Sequence, residues 1–99
     1  MSGTTHFLNY EMYYTYVLYS PGFNKIYVGF SSELTNRLLA HNDDRNTGWS
    51  SRYQPWELLY SEEHPVKCEA MQREKQLKTF RGREFIREMI RAKGMLFHS

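Results

Sequence analysis

The chain has 99 residues, of which 40% are hydrophobic, 16% aromatic and 24% charged, with a formal net charge of +2. A chain of that length makes one domain, which buries about 60–65% of its unfolded surface, and two independent cores would not fit. No apolar run approaches the about 20 residues that a bilayer span needs, and no N-terminal basic segment leads into an apolar stretch, so a cytoplasmic protein without membrane contact is expected.

Residues 1–11 lack periodicity and read as a flexible extension. From Tyr13 to Tyr19 aromatic and β-branched residues dominate, marking a strand that Ser20-Pro21-Gly22 stops. Lys25 to Phe30 reads as a second strand, and Pro21, Gly22 and Asn24 supply the turn chemistry of a hairpin. Ser31 and Ser32 offer an N-cap to a helix over 33–42, with Glu33 in its first turn and Leu34, Leu38 and His41 on one face. A polar loop over 42–51 follows, and Glu57 to Ser61, after Pro55-Trp56, reads as a third strand. A helix over 66–79 comes next, and Arg81-Gly82 breaks it. The last helix, over 84–93, carries Phe85, Ile86, Met89 and Ile90 as its stripe and Gly94 as its C′ residue. The domain thus spans 12–93, with 94–99 as a short tail. The order ββαβαα predicts an α+β fold: a three-stranded, mostly antiparallel sheet flanked by three helices.

Charge is unevenly spread. Residues 1–65 hold four Lys/Arg against seven Asp/Glu, and residues 66–99 hold nine against four. Such asymmetry suits a polyanion, although the solvated faces of two helices would produce it too. The lone Cys68 can form no intramolecular disulfide, and four scattered His show no paired-ligand spacing for structural zinc.

Polar residues also intrude where the pattern wants apolar ones. Arg37 and His41 lie four apart, on a helix face that overlaps Leu34 and Leu38. Glu74 falls beside the Ala70/Leu77 stripe, where a carboxylate needs a cation, a metal or several donors. Arg37 or Lys78 at the edge of the core would satisfy it as well. Tyr13, Tyr14, Tyr16, Tyr19 and Tyr27 crowd the hairpin, as amphipathic filler with wet hydroxyls or as the lining of a site. Trp49 and Trp56 read as exposed, available to unpaired bases or to a protein partner.

Together these residues resemble the GIY-YIG nuclease superfamily, in particular its small single-domain members related to the N-terminal nuclease module of the excinuclease. The two tripeptides that name the superfamily read here Thr15-Tyr16-Val17 and Tyr27-Val28-Gly29, on adjacent strands. Arg37 matches the family's helix Arg, His41 its His or Tyr one turn later, and Ala70, Glu74 and Lys78 its A-x-x-x-E-x-x-x-K helix. Pro55-Trp56 with Leu58-Leu59-Tyr60, and the Arg81/Arg83 region, resemble the small-member subgroup.

The resemblance implies a divalent-metal-dependent endonuclease acting on DNA, structured or branched DNA included, ahead of RNA. Glu74 would hold one Mg²⁺ or Mn²⁺ ion, and Arg37 would grip the scissile phosphate. Tyr16 and Tyr27 would flank the attacking water, with the general base open between Tyr27, Tyr16 and His41. Gly29 would allow close backbone approach, and Arg52, Lys78, Arg81 and Arg83 would touch the nucleic-acid backbone. The chain departs from the pattern in having Thr15 for Gly, and Phe30 where excinuclease-type members often carry Lys. The missing cation keeps an alternative open, a nucleic-acid-binding module with weak or lost catalysis. In the segment Gly48-Trp49-Ser50-Ser51-Arg52, serine hydroxyls and an Arg are on offer for phosphate contacts.

Overall fold

The aromatic and β-branched residues of the opening segment form strand β1 (Tyr13–Ser20), which turns back into β2 (Lys25–Ser31). A computed structural model describes residues 11–98, with side chains through residue 94. The extension expected over 1–11 lies, Glu11 apart, outside the described residues. At the hairpin turn Asn24 takes a φ of 54°, a left-handed conformation that asparagine tolerates better than most residues. Strand β3 (Glu57–His64) pairs on the other side of β1, so the sheet order is β2-β1-β3 and every pairing is antiparallel.

Register decides which side chains share a face. Tyr16 opposes Gly29 and Leu18 opposes Tyr27, which puts both tyrosines on one face. Thr15 opposes Phe30 and Val17 opposes Val28, on the other face. The β1–β3 ladder shifts between Val17 and Leu18 and leaves Leu59 without an opposite partner, a bulge.

Helix α1 (Leu34–His41) and a 3₁₀ turn (Trp49–Tyr53) cover the tyrosine face. There Tyr16, Leu18 and Trp56 are buried, with Tyr27, Leu34, Leu38 and Tyr53 packed around them. Helices α2 (Lys67–Leu77) and α3 (Phe80–His98) cover the opposite face, where Val17, Val28, Leu77 and Ile86 form the core. The Thr15 hydroxyl donates to the Ala70 carbonyl at 2.9 Å and fixes α2 against the central strand.

Four local expectations need correcting. Trp56 is 2% exposed and belongs to the core, its indole N–H donating to the Ser50 carbonyl at 2.8 Å. Gly82 does not break a helix. It is buried inside α3, where a Cβ would come within 2.3 Å of the Gln76 oxygen and 2.5 Å of the Leu77 backbone. The helix starts earlier than its apolar stripe because Thr79 caps it, accepting the Gly82 N–H at 3.2 Å. It also runs through Gly94 to His98, so that glycine is no terminator.

Candidate functional site

The hairpin and α1 bring four of the five proposed chemical residues, Tyr16, Tyr27, Arg37 and His41, to one place. Tyr16 lies across Gly29, where a Cβ would sit 2.8 Å from its hydroxyl and 3.0 Å from the Tyr27 ring. The close-approach reading of Gly29 therefore has a definite partner: the glycine makes room for the two phenols. The rings of Tyr16 and Tyr27 stack with centroids 6.2 Å apart, and His41 sits 4.3 Å from Tyr27. Arg37 lies one turn before His41 and lines the same hollow of about 660 Å³ as Tyr27, His41, Trp49 and Ser50.

Electrostatics set the protonation of this group. Burial pushes the Tyr16 hydroxyl above the usual phenol pKa, outweighing the pull of the Arg37 guanidinium beside it; the charges of Tyr27 and Glu74 push the same way as burial. Arg37 is in turn held above its ordinary value, chiefly by the Tyr16 hydroxyl. Burial, and then the charge of Arg37, lower the His41 pKa, so its imidazole is neutral at pH 7.

A polar network fixes that imidazole. His41 Nδ1 lies 2.9 Å from the Ser50 hydroxyl, and the Asn46 side-chain amide donates to the same hydroxyl at 2.8 Å. Asn46 Oδ1 accepts the Gly48 N–H at 2.9 Å, which orients its amide. Ser50 thus accepts from Asn46 and shares one hydrogen with Nδ1, given by the hydroxyl or by the ring according to the tautomer. Nε2 is buried and has no protein partner among the described residues. Of the loop serines expected to touch phosphate, Ser50 is instead buried and committed to His41. Nothing periodic in the polar loop signals Asn46 or Ser50, and only the fold shows their role.

Glu74 approaches from α2, two-thirds of the way along the helix. Its side chain is 19% exposed and paired with Lys78 at 3.2 Å, one of the alternatives its position allowed. Lys78 and Arg83 line a second hollow, of about 320 Å³, on the other side of Tyr27. Arg81 and Arg52 are exposed and line neither hollow. A separate groove between β3 and α3, lined by Leu58, Leu59, Ile90 and Lys93, holds none of the expected site residues.

Comparison with known families matches residues 12–84 to the GIY-YIG catalytic domain. The chain belongs to the GIY-YIG family. Its GIY-YIG domain is 34% identical over 80 residues to a UPF0213 protein of Bacillus pumilus, covering 78% of this chain and 81% of that one. It is 31% identical over 55 residues to a UPF0213 protein of Staphylococcus epidermidis, covering 56% and 67%, and 35% identical over 51 residues to the UPF0213 protein YazA of Bacillus subtilis, covering 52% of each. No solved structure matches.

GIY-YIG nucleases typically use a divalent metal, and the residues present fit one. Glu74 is a single carboxylate, and no group of three or more His, Cys, Asp or Glu gathers among the described residues. One carboxylate with water completing the shell is a donor set that suits Mg²⁺. No helix among the described residues is long and apolar enough to cross a membrane.

Proposed function

We propose that this GIY-YIG domain, over residues 12–93, is an endonuclease that hydrolyses phosphodiester bonds in DNA with one Mg²⁺ or Mn²⁺ ion. The observation that carries the reading is the meeting of Tyr16, Tyr27, Arg37 and His41, with the charge of Glu74 felt at the Tyr16 hydroxyl. Hydrolysis adds negative charge at the phosphorus oxygens, and a bound divalent ion at Glu74 supplies the Lewis acid that offsets it. Arg37 presents a planar, permanently charged fork to the same oxygens.

Proton positions divide the remaining residues. Tyr16, kept as a neutral phenol by burial, donates a hydrogen bond and orients water. His41, neutral at pH 7, has a ring nitrogen free to accept a proton. Tyr27, as its phenolate, or the neutral imidazole of His41 takes the proton from the attacking water. Phe30 lies on the α2 face with Thr15 rather than beside the phenols, which supports retained catalysis over a binding-only module.

The test is cleavage of supercoiled plasmid and of branched DNA with Mg²⁺ or Mn²⁺, comparing the natural chain with Glu74→Ala and Tyr27→Phe. Both variants should lose cleavage while keeping DNA affinity in the presence of EDTA. Binding without cleavage in the natural chain would establish the module instead.

A further inference from the structure

Two chain segments, the hairpin turn and the 3₁₀ turn, place aromatic rings side by side on the surface next to the hollow. Phe23, from the hairpin turn, is 52% exposed and meets Tyr53 edge-on at 5.5 Å. Trp49, 49% exposed, lies 4.8 Å from the same Tyr53. The ammonium of Lys25 stands 5.3 Å from the Tyr53 ring centre. At one end Trp49 forms part of the hollow that also holds Arg37, His41 and Tyr27.

We propose that the Trp49–Tyr53–Phe23 surface is a stacking platform for unpaired bases of a single-stranded nucleic acid whose backbone enters the hollow. The inference rests on the nuclease reading above and narrows its substrate to strands with bases free to splay. Three half-exposed or partly exposed rings in contact leave π-faces open at a cost in solvation that the core does not require, since Trp56 already fills the space beneath. Every base offers a π-face, so such a surface accepts strands with little regard to sequence. A duplex keeps its bases stacked on one another and offers the platform nothing. Lys25 and Arg52 sit on the same segments as the rings, and Arg37 at their inner end, which matches a phosphate backbone.

The experiment is fluorescence-anisotropy binding in EDTA, with labelled 15-nucleotide dT and U strands and a blunt DNA duplex of equal length. Trp49→Ala should weaken binding of a single strand about tenfold and change duplex binding less than twofold. Trp49→Phe should restore single-strand affinity to within about threefold. Intrinsic tryptophan emission of the natural chain should be quenched in part by the strand and not by the duplex, because Trp49 is within reach of the bases while buried Trp56 adds an unquenched background. A greater loss for dT than for U, or the reverse, identifies which strand the platform serves. Equal losses for strand and duplex, or none for either, overturn the platform; if plasmid cleavage persists in that case, the nuclease reading stands without it. Failure of the natural chain to bind any of the three probes overturns both. If circular dichroism shows Trp49→Ala unfolded, Phe23→Ala at the exposed turn carries the same comparison, with a strand-only loss of about threefold or more expected.

Discussion

Tyr16 and Tyr27 are the same residue type on the same sheet face, yet their surroundings give them different chemistry. Tyr16 is 1% exposed and held neutral by burial, whereas Tyr27 borders both hollows. Arg37 serves both and is itself exposed, so removing it should cost activity and little stability. Arg37→Ala is expected to lower cleavage about 10²–10³-fold, the scale for losing one transition-state charge partner, with an almost unchanged melting temperature. A large fall in melting temperature would show that Arg37 holds the phenols in place instead. His41 gives a pH dependence with a definite sign. Its folded-state pKa lies below the unfolded value near 6.5, so the unfolded chain takes up the proton first as pH falls. Its share of stability is therefore full above about pH 6.5 and lost below it. Urea midpoints at pH 7.5 and 5.5 should differ more in the natural chain than in His41→Gln. Ser50→Ala should free Nδ1 and shift the balance of the two tautomers, a change that imidazole ¹⁵N shifts read directly; unchanged shifts would refute the hydroxyl's role in setting that balance.

At the scale of elements, two glycines show how differently a missing side chain can matter. A Cβ at Gly82 would strike backbone of α2, which cannot move without unseating Leu77 from the core. Gly82→Ala is thus expected to cost about 1–3 kcal/mol, seen as a fall in melting temperature of about 5–20 °C. A Cβ at Gly29 would strike the phenol end of Tyr16 and crowd the Tyr27 ring, the two phenols of the proposed site. Gly29→Ala should therefore hurt cleavage more than stability, and the reverse outcome would detach Gly29 from the site. The same contrast explains what is legible in the sequence. The hairpin, α1 and the spacing of Arg37 and His41 follow from local composition and a 3.6-residue period, and the structure bears them out. Gly82 between two arginines reads as a breaker because its partner, the α2 backbone, is a tertiary neighbour that no local pattern reveals. Trp56 after a proline looks like loop, and only the packing of α1 against the sheet makes it core. Asn46 and Ser50 sit in a stretch without periodicity, so their bonds to His41 leave no signal at all.

For the molecule as a whole, the basic C-terminal third overstates the surface open to nucleic acid. Arg73 is tied to Glu62 at 3.0 Å, Arg91 to Glu88 at 2.9 Å, and Arg87 donates to Asn24 Oδ1 at 2.7 Å, bracing α3 against the hairpin turn. Lys93 donates to the Leu59 carbonyl on β3. The cations that line the hollows at Tyr27 are fewer: Arg37 on one side, with Arg45 tied to Asp43, and Lys78 and Arg83 on the other. A duplex whose phosphates run past Tyr27 would meet about three of them, and each neutralised phosphate contributes about −0.9 to the slope of log affinity against log salt. The natural chain should thus give a slope of about −3, and the double variant Lys78→Ala/Arg83→Ala a slope of about −1. Arg91→Ala, which removes a cation already paired on the far part of α3, should leave the slope where it is. A slope that falls as much for Arg91 as for the pair at Tyr27 would mean that the whole basic third contacts DNA diffusely, and that the two hollows do not mark the path of the strand.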